Sequence, residues 1–148
     1  LVCACEKGRF EDVKLFITCM KGINTMTCRE NVNRFGKNSD GEDGTPLMEA
    51  TYGEHFQIVK YLIEQGEADP NIADSDGYNA LHFGAQYNKK DTELIEFLLT
   101  NMSLNSINKK TRSGDTPLDW AYDHNDSPIQ QKIIDLIRSK GGKRGREL

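Results

Sequence analysis

Thr45-Pro46-Leu47-Met48-Glu49-Ala50 decides how this chain is read. The same shape returns as Asn79-Ala80-Leu81-His82-Phe83-Gly84 and as Thr116-Pro117-Leu118-Asp119-Trp120-Ala121. Leu47 and Leu81 are 34 positions apart, and Leu81 and Leu118 are 37 apart. A period in this range marks repeated supersecondary units. Behind each block runs an apolar stripe at helical spacing: Phe56, Val59, Leu62, Ile63; then Leu94, Ile95, Leu98, Leu99; then Ile129, Ile133, Ile134, Ile137. Phe10, Val13, Phe16 and Ile17 give the opening segment the same second half, and in that register Leu1 falls on Leu47 and Ala4 on Ala50. The chain therefore reads as four units.

Local chemistry predicts the shape of one unit. The Thr45 hydroxyl can cap a helix, and Pro46 then occupies the first helical position, where a missing N–H costs nothing. Thr116-Pro117 repeats this, with Asp119 placed for a capping-box exchange, and Asn79-Ala80 is a weaker start of the same kind. Second helices are expected to begin at Asp91 and at Ser127-Pro128. Each unit is thus two short helices, the second more apolar. Between units lie turn-rich stretches such as Ala68–Gly77, and Gly77 and Gly114 stand where a tight hairpin turn needs positive φ.

Ala4–Lys14, Ala50–Gly66 and the continuation Ala68-Asp69-Pro70-Asn71, together with Asp76-Gly77 and the Thr-Pro-Leu blocks, resemble the ankyrin-repeat family. The likeness recurs four times and covers nearly the whole chain. It implies an all-α solenoid of helix-turn-helix repeats with short β-hairpin loops, in one domain. The repeats are placed at about 1–43, 44–76, 77–113 and 114–140, with a basic tail at 141–148. Gly8 holds the glycine between the two helices, whereas the matching place in the second unit is Glu54. Ile17 to Leu47 spans 30 positions against 18 from Ile63 to Leu81, so a surface insertion of about a dozen residues is expected within Asn24–Asp43. Smaller insertions fall around Asn88-Lys89-Lys90 and Asp123–Asp126.

Composition excludes several classes of function. At 148 residues the chain has room for one ordinary domain. It carries 19 Lys plus Arg against 23 Asp plus Glu, for a net charge of −4, and so lacks the basic excess of a non-specific polyanion binder. No apolar run approaches the roughly 20 residues of a membrane-spanning helix, and Leu1–Cys5 has no basic segment before it, so it does not read as a signal peptide. The start without Met is read as a processed or partial chain with upstream sequence missing. Cys3, Cys5, Cys19 and Cys28 crowd the first fifth of the chain, which fits a reducing, cytoplasmic setting better than a disulfide framework.

The residues that could carry chemistry have simpler readings. Cys3 and Cys5 on one helix point to opposite sides, so the cysteines read as buried free thiols rather than zinc ligands. His82 ends its block where the family's histidine hydrogen-bonds structurally between units, and His55 sits beside the inter-helix turn; both are read as structural. His124, between acidic residues in an insertion, has no nucleophile to serve. No phosphate loop, dinucleotide fingerprint, zinc-helix motif or calcium loop occurs. The chain is therefore expected to be non-catalytic, to need no cofactor or metal, and to be monomeric. The tail Lys140–Arg146 reads as a solvated helix cap, since four cations without aromatics make a weak footprint.

What the resemblance leaves is a surface. Ankyrin repeats take protein partners along a concave face built from hairpin tips and the exposed side of each first helix. Carried over by position, the tip residues are Glu42, then Ser75, Asp76 and Tyr78, then Lys110, Arg112 and Asp115. The helix residues are Glu6, Lys7, Tyr52, Gln86, Tyr87, Asp123 and His124. The first two tips are acidic and the last basic, so the partner is expected to present positive charge to the former and negative charge to the latter. The function expected is recognition of a protein partner. Two other readings are carried: a regulatory or targeting part of a larger enzyme or effector, and binding of nucleic acid or acidic lipid through the tail.

Overall fold

Thr45 caps the helix α4 (Pro46–Tyr52) by accepting the Met48 N–H at 3.3 Å, with Pro46 in the first turn. The computed structural model in which this is seen describes residues 1–123 and 127–148. Asn79 caps α6 (Ala80–Tyr87) through a reciprocal exchange: it accepts the His82 N–H at 3.3 Å, and His82 Nδ1 accepts the Asn79 N–H at 3.1 Å. Thr116 and Asp119 make the same exchange before α9 (Pro117–Asp123), with Thr116 N to Asp119 Oδ2 at 2.9 Å. The three quoted blocks are three first helices, begun by one piece of capping chemistry.

Each first helix is paired with a second. Leu1–Asp69 forms one compact unit. In it α1 (Val2–Glu6) packs on α4, and α2 (Phe10–Ile23) packs on α5 (Phe56–Glu64). Val13, Ile17, Ile58, Val59 and Leu62 form the buried seam, and the Phe10 ring meets Tyr61 edge-on at 5.5 Å. Pro70–Leu148 forms the second unit. There α6 packs on α9, and α7 (Glu93–Asn101) packs on α10 (Pro128–Ser139), closing over Leu94, Ile95, Leu98, Ile133, Ile134 and Ile137. Burying such stripes is the main stabilisation available to helices this short.

Second-helix starts follow the sequence with one shift. Ser127 caps α10 and accepts the Gln130 N–H at 3.2 Å. The expected start at Asp91 moves to Thr92, although Asp91 Oδ1 still takes the Glu93 N–H at 3.0 Å. Glu54 adopts φ 55°, matching φ 66° at Gly8, so the second repeat holds a left-handed turn without glycine.

Three asparagines recur as clips. Asn33 Oδ1 accepts the Asp69 N–H at 2.7 Å, Asn71 Oδ1 the Ser103 N–H at 2.8 Å, and Asn108 Oδ1 the Lys143 N–H at 2.7 Å. This equivalence locates the insertion. Ile17 to Asn33 spans 16 positions against 8 from Ile63 to Asn71, and Asn33 to Leu47 spans 14 against 10 from Asn71 to Leu81. About two thirds of the extra chain therefore precedes Asn33, and it starts earlier than Asn24: α2 runs on to Ile23 and a further helix, α3 (Thr25–Val32), follows. The remainder lengthens the first hairpin, where β1 (Gly36–Lys37) pairs antiparallel with β2 (Asp43–Gly44). The corresponding loops of the second unit are tight turns, one held by a single bridge between Ala73 and Asn79.

Candidate functional site

The loops that join successive helix pairs, here called fingers, carry half of the expected contact residues. In the first unit the finger turns at Asn38, whose Oδ1 accepts the Asp40 and Glu42 N–H groups at 3.1 and 2.9 Å, leaving Glu42 exposed at the tip. The Glu6 carboxylate accepts the Ser39 N–H at 2.9 Å and the Ser39 hydroxyl, and these bonds hold its pKa below the usual range. Lys7 is exposed at the end of α1. Tyr52 is 48% exposed at the end of α4. Glu49, one turn before it, is buried; burial raises its pKa, Asn38 opposes this, and Glu6, Glu42 and Asp40 reinforce it. Nothing in the sequence singles out Glu49, because its burial depends on the inserted hairpin folding over it.

The second unit brings two fingers together. Asp74 Oδ1 accepts the Asp76 and Tyr78 N–H groups, both at 2.9 Å, and the Arg112 N–H reaches Asp76 O at 2.8 Å. Arg112 Nη1 also pairs with Asp76 Oδ1 at 2.8 Å. Ser75 and Lys110 are exposed, while Asp115 is half-buried and closes its own turn with Thr111. Tyr87 is 36% exposed at the end of α6, with Gln86 half-buried beside it and Asp123 exposed at the end of α9. His124 lies outside the described residues.

Tyr78 is not a protruding tip residue. Its ring meets Trp120 at 5.1 Å and His82 at 5.6 Å, both edge-on, and Phe83 at 6.2 Å. Phe83 and Trp120 are half-buried members of this cluster that the positional reading missed. Each directly follows a capping-exchange residue, His82 or Asp119, and that shared place in the block was the available signal. Beneath the rings His82 is fully buried. Burial brings its pKa down to about 4, partly offset by the backbone of Asp115 and Lys109. His55 Nε2 lies 2.9 Å from Glu6 O and so ties two helix pairs of the first unit, as expected of a structural histidine.

Three other expectations need correction. Tip charges are partly spent within the chain, since Lys37 pairs with Asp43 at 2.8 Å as Arg112 does with Asp76. The tail is not merely solvated. Gly141 and Gly142 end α10 as the sequence implied, but the chain then docks: Thr116 Oγ1 donates to Lys143 O at 2.7 Å, Arg144 Nε pairs with Asp119 Oδ1 at 2.7 Å, and a 3-10 turn follows at Gly145–Glu147. Of the cysteines, all free thiols, Cys5 and Cys28 are buried and burial raises both pKa values, that of Cys5 to about 12. Cys3 is half-buried and Cys19 exposed. Among the described residues no three His, Cys, Asp or Glu side chains are grouped to hold a metal, and no helix is long and apolar enough to cross a membrane.

Comparison with known proteins agrees with this geometry. The family model for ankyrin repeats, in three copies, matches residues 1–110. The Notch-regulated ankyrin repeat-containing protein of Xenopus tropicalis is 31% identical over 106 residues, 72% of this chain and 82% of that protein. Serine/threonine-protein kinase TNNI3K of Mus musculus is 29% identical over 127 residues, 81% of this chain but 14% of the kinase. Ankyrin repeat and SAM domain-containing protein 6 of Rattus norvegicus is 44% identical over 54 residues, 36% of this chain and 6% of that protein. The chain thus spans a small part of the latter two. Repeats of this kind are generally non-catalytic and mediate protein–protein interaction. The chain belongs to the ankyrin-repeat family.

Proposed function

We propose that this chain is a non-catalytic recognition module that holds a protein partner in the concave groove of its repeats, against the fingers and the exposed side of the first helices. The observation that carries the reading is the exposure of Tyr52 and Tyr87 at the ends of α4 and α6, helices begun by well-formed caps. Tyrosine offers a large contact area at low cost in side-chain entropy, and it is over-represented where binding energy concentrates. Fingers fixed by their own hydrogen bonds reduce the ordering cost on association. In the second unit the Tyr78, Phe83 and Trp120 rings add an apolar floor beside Tyr87's helix.

The test is affinity capture from lysate of the source cell, comparing the wild type with a Tyr52→Ala/Tyr87→Ala/Arg112→Ala variant that keeps its helical circular dichroism. Loss of a captured protein with the variant identifies both partner and surface. Capture that survives the variant removes the groove reading.

A further inference from the structure

We propose that the last finger and the docked C-terminal segment together form a cationic edge of the second unit that binds an acidic stretch of a partner polypeptide. Neither segment alone is a footprint, and docking makes them one surface. Asn108 holds the two segments together, donating to Gly141 O at 3.0 Å and accepting the Lys143 N–H at 2.7 Å. Farther along, the backbone at Gly145 comes so close to Gly114 O that a side chain has no room there. The tail therefore lies against the finger, with Lys143 and Gly141, the neighbour of Lys140, held at Asn108, the neighbour of Lys109; Lys110 follows on the same finger. All four lysines are exposed.

Among the described residues these four lysines are left out of the unit's ion pairs. In the same unit Arg112 pairs with Asp76 at 2.8 Å, Arg138 with Glu147 at 3.3 Å and Arg144 with Asp119 at 2.7 Å. The three arginines serve the fold, while Lys109, Lys110, Lys140 and Lys143 make no ion pair among the described residues. Like charges gathered by backbone contacts repel, and an incoming anion relieves that repulsion. Lysine is a compact, mobile charge that meets carboxylates without a fixed fork geometry. An extended acidic strand places same-face carboxylates about 7 Å apart and so presents several of them to one cationic edge. Single-stranded nucleic acid needs a stacking platform as well. The ring nearest the tail, Tyr122, is already covered by Arg138 and Arg144, whose guanidinium carbons lie 5.6 and 4.8 Å from its centroid.

The inference rests on the protein-recognition reading above but uses residues outside its tyrosine surface, so the two can fail separately. The probe is a fluorescein-labelled peptide of about twelve alternating Glu and Ser residues, followed by anisotropy in about 50 mM salt, where surface charge is weakly screened. The wild type is expected to bind, and a Lys109→Glu/Lys143→Glu variant to bind at least about tenfold more weakly with unchanged melting temperature. A Lys21→Glu/Lys132→Glu variant, reversed at exposed lysines elsewhere, is expected to bind as the wild type does. No peptide binding by the wild type, or equal loss in both variants, overturns the proposal. So does tighter binding to phosphatidylserine vesicles or to single-stranded DNA of matched charge. If the peptide fails while the tyrosine variant still loses its captured protein, the edge falls and the recognition reading stands.

Discussion

Arg144 Nε sits 2.7 Å from Asp119 Oδ1, and the other oxygen of that carboxylate takes the Thr116 N–H at 2.9 Å and the Gly145 N–H at 2.6 Å. One buried side chain thus starts α9 and anchors the end of the chain. Burial pushes its pKa up, but the Thr116 N–H, Arg144 and the Gly145 N–H outweigh burial and hold it at about 2. The unfolded chain binds this proton more readily, so the stabilisation is present above the unfolded value near 4 and is lost as pH falls through about 2. Asp119→Asn is expected to cost about 1–3 kcal/mol at neutral pH in urea melts. The gap from wild type should close as pH drops from 4 towards 2; a gap that stays constant would count against the assignment.

His82 titrates in a different window. With burial lowering its pKa from 6.5 to about 4, the unfolded state takes up the proton first on acidification. Its contribution is whole above pH 6.5 and is lost as pH falls towards 4, amounting to at most about 3 kcal/mol. In thermal melts across that range, the wild type should lose stability more steeply than His82→Gln. Parallel curves for the two proteins would remove His82 as the source.

Most of the helix starts were legible because they are local. Thr45, Asn79, Thr116 and Ser127 each cap within three residues of themselves, and the apolar stripes need only the helical period. What was not legible is what happens between segments distant in sequence. Asn33 and Asn108 look like ordinary loop residues until their carboxamides are seen gripping backbone 33 to 36 positions away, as Asn71 does at 32. Tyr78 was placed in the finger correctly, yet its ring direction depends on Trp120 in another repeat. The tail carried a readable helix stop at Gly141 but no local sign that Arg144 would find Asp119.

Gly77 and Gly114 share a backbone conformation, φ 92° and 90°, but not a neighbourhood. A Cβ at Gly77 would collide with the carbonyl oxygen of Lys110, whereas at Gly114 nothing lies within 4 Å. Gly114→Ala is expected to cost only the backbone term, about 1 kcal/mol. Gly77→Ala must in addition push two fingers apart, so it should cost at least about 1 kcal/mol more in denaturant melts. Equal losses would mean the fingers are free to separate.

Glu54 offers the reverse test, since it holds φ 55° where the first repeat has Gly8. Comparing Glu54→Gly with Glu54→Ala removes the glutamate's own contacts from both sides of the measurement. The glycine variant is expected to be the more stable by about 1 kcal/mol, because alanine keeps the Cβ strain of a left-handed residue. If the two melt together, the turn relaxes when the side chain is shortened.

Charge at the finger tips leads to the last expectation. Glu42 stands exposed on a turn fixed by Asn38 and makes no ion pair among the described residues, while Asp76 is engaged by Arg112 through both backbone and side chain. If a partner reads acidic tips, its cations find Glu42 available and must compete with Arg112 for Asp76. Glu42→Lys should then weaken capture of the partner about three- to tenfold at low salt, chiefly by slowing association. Asp76→Lys should affect affinity less, and it should lower stability by no more than about 1 kcal/mol, the usual range for an exposed pair. The reverse ranking in surface-plasmon measurements would mean that the Asp76–Arg112 pair, not the free carboxylate, is the feature recognised.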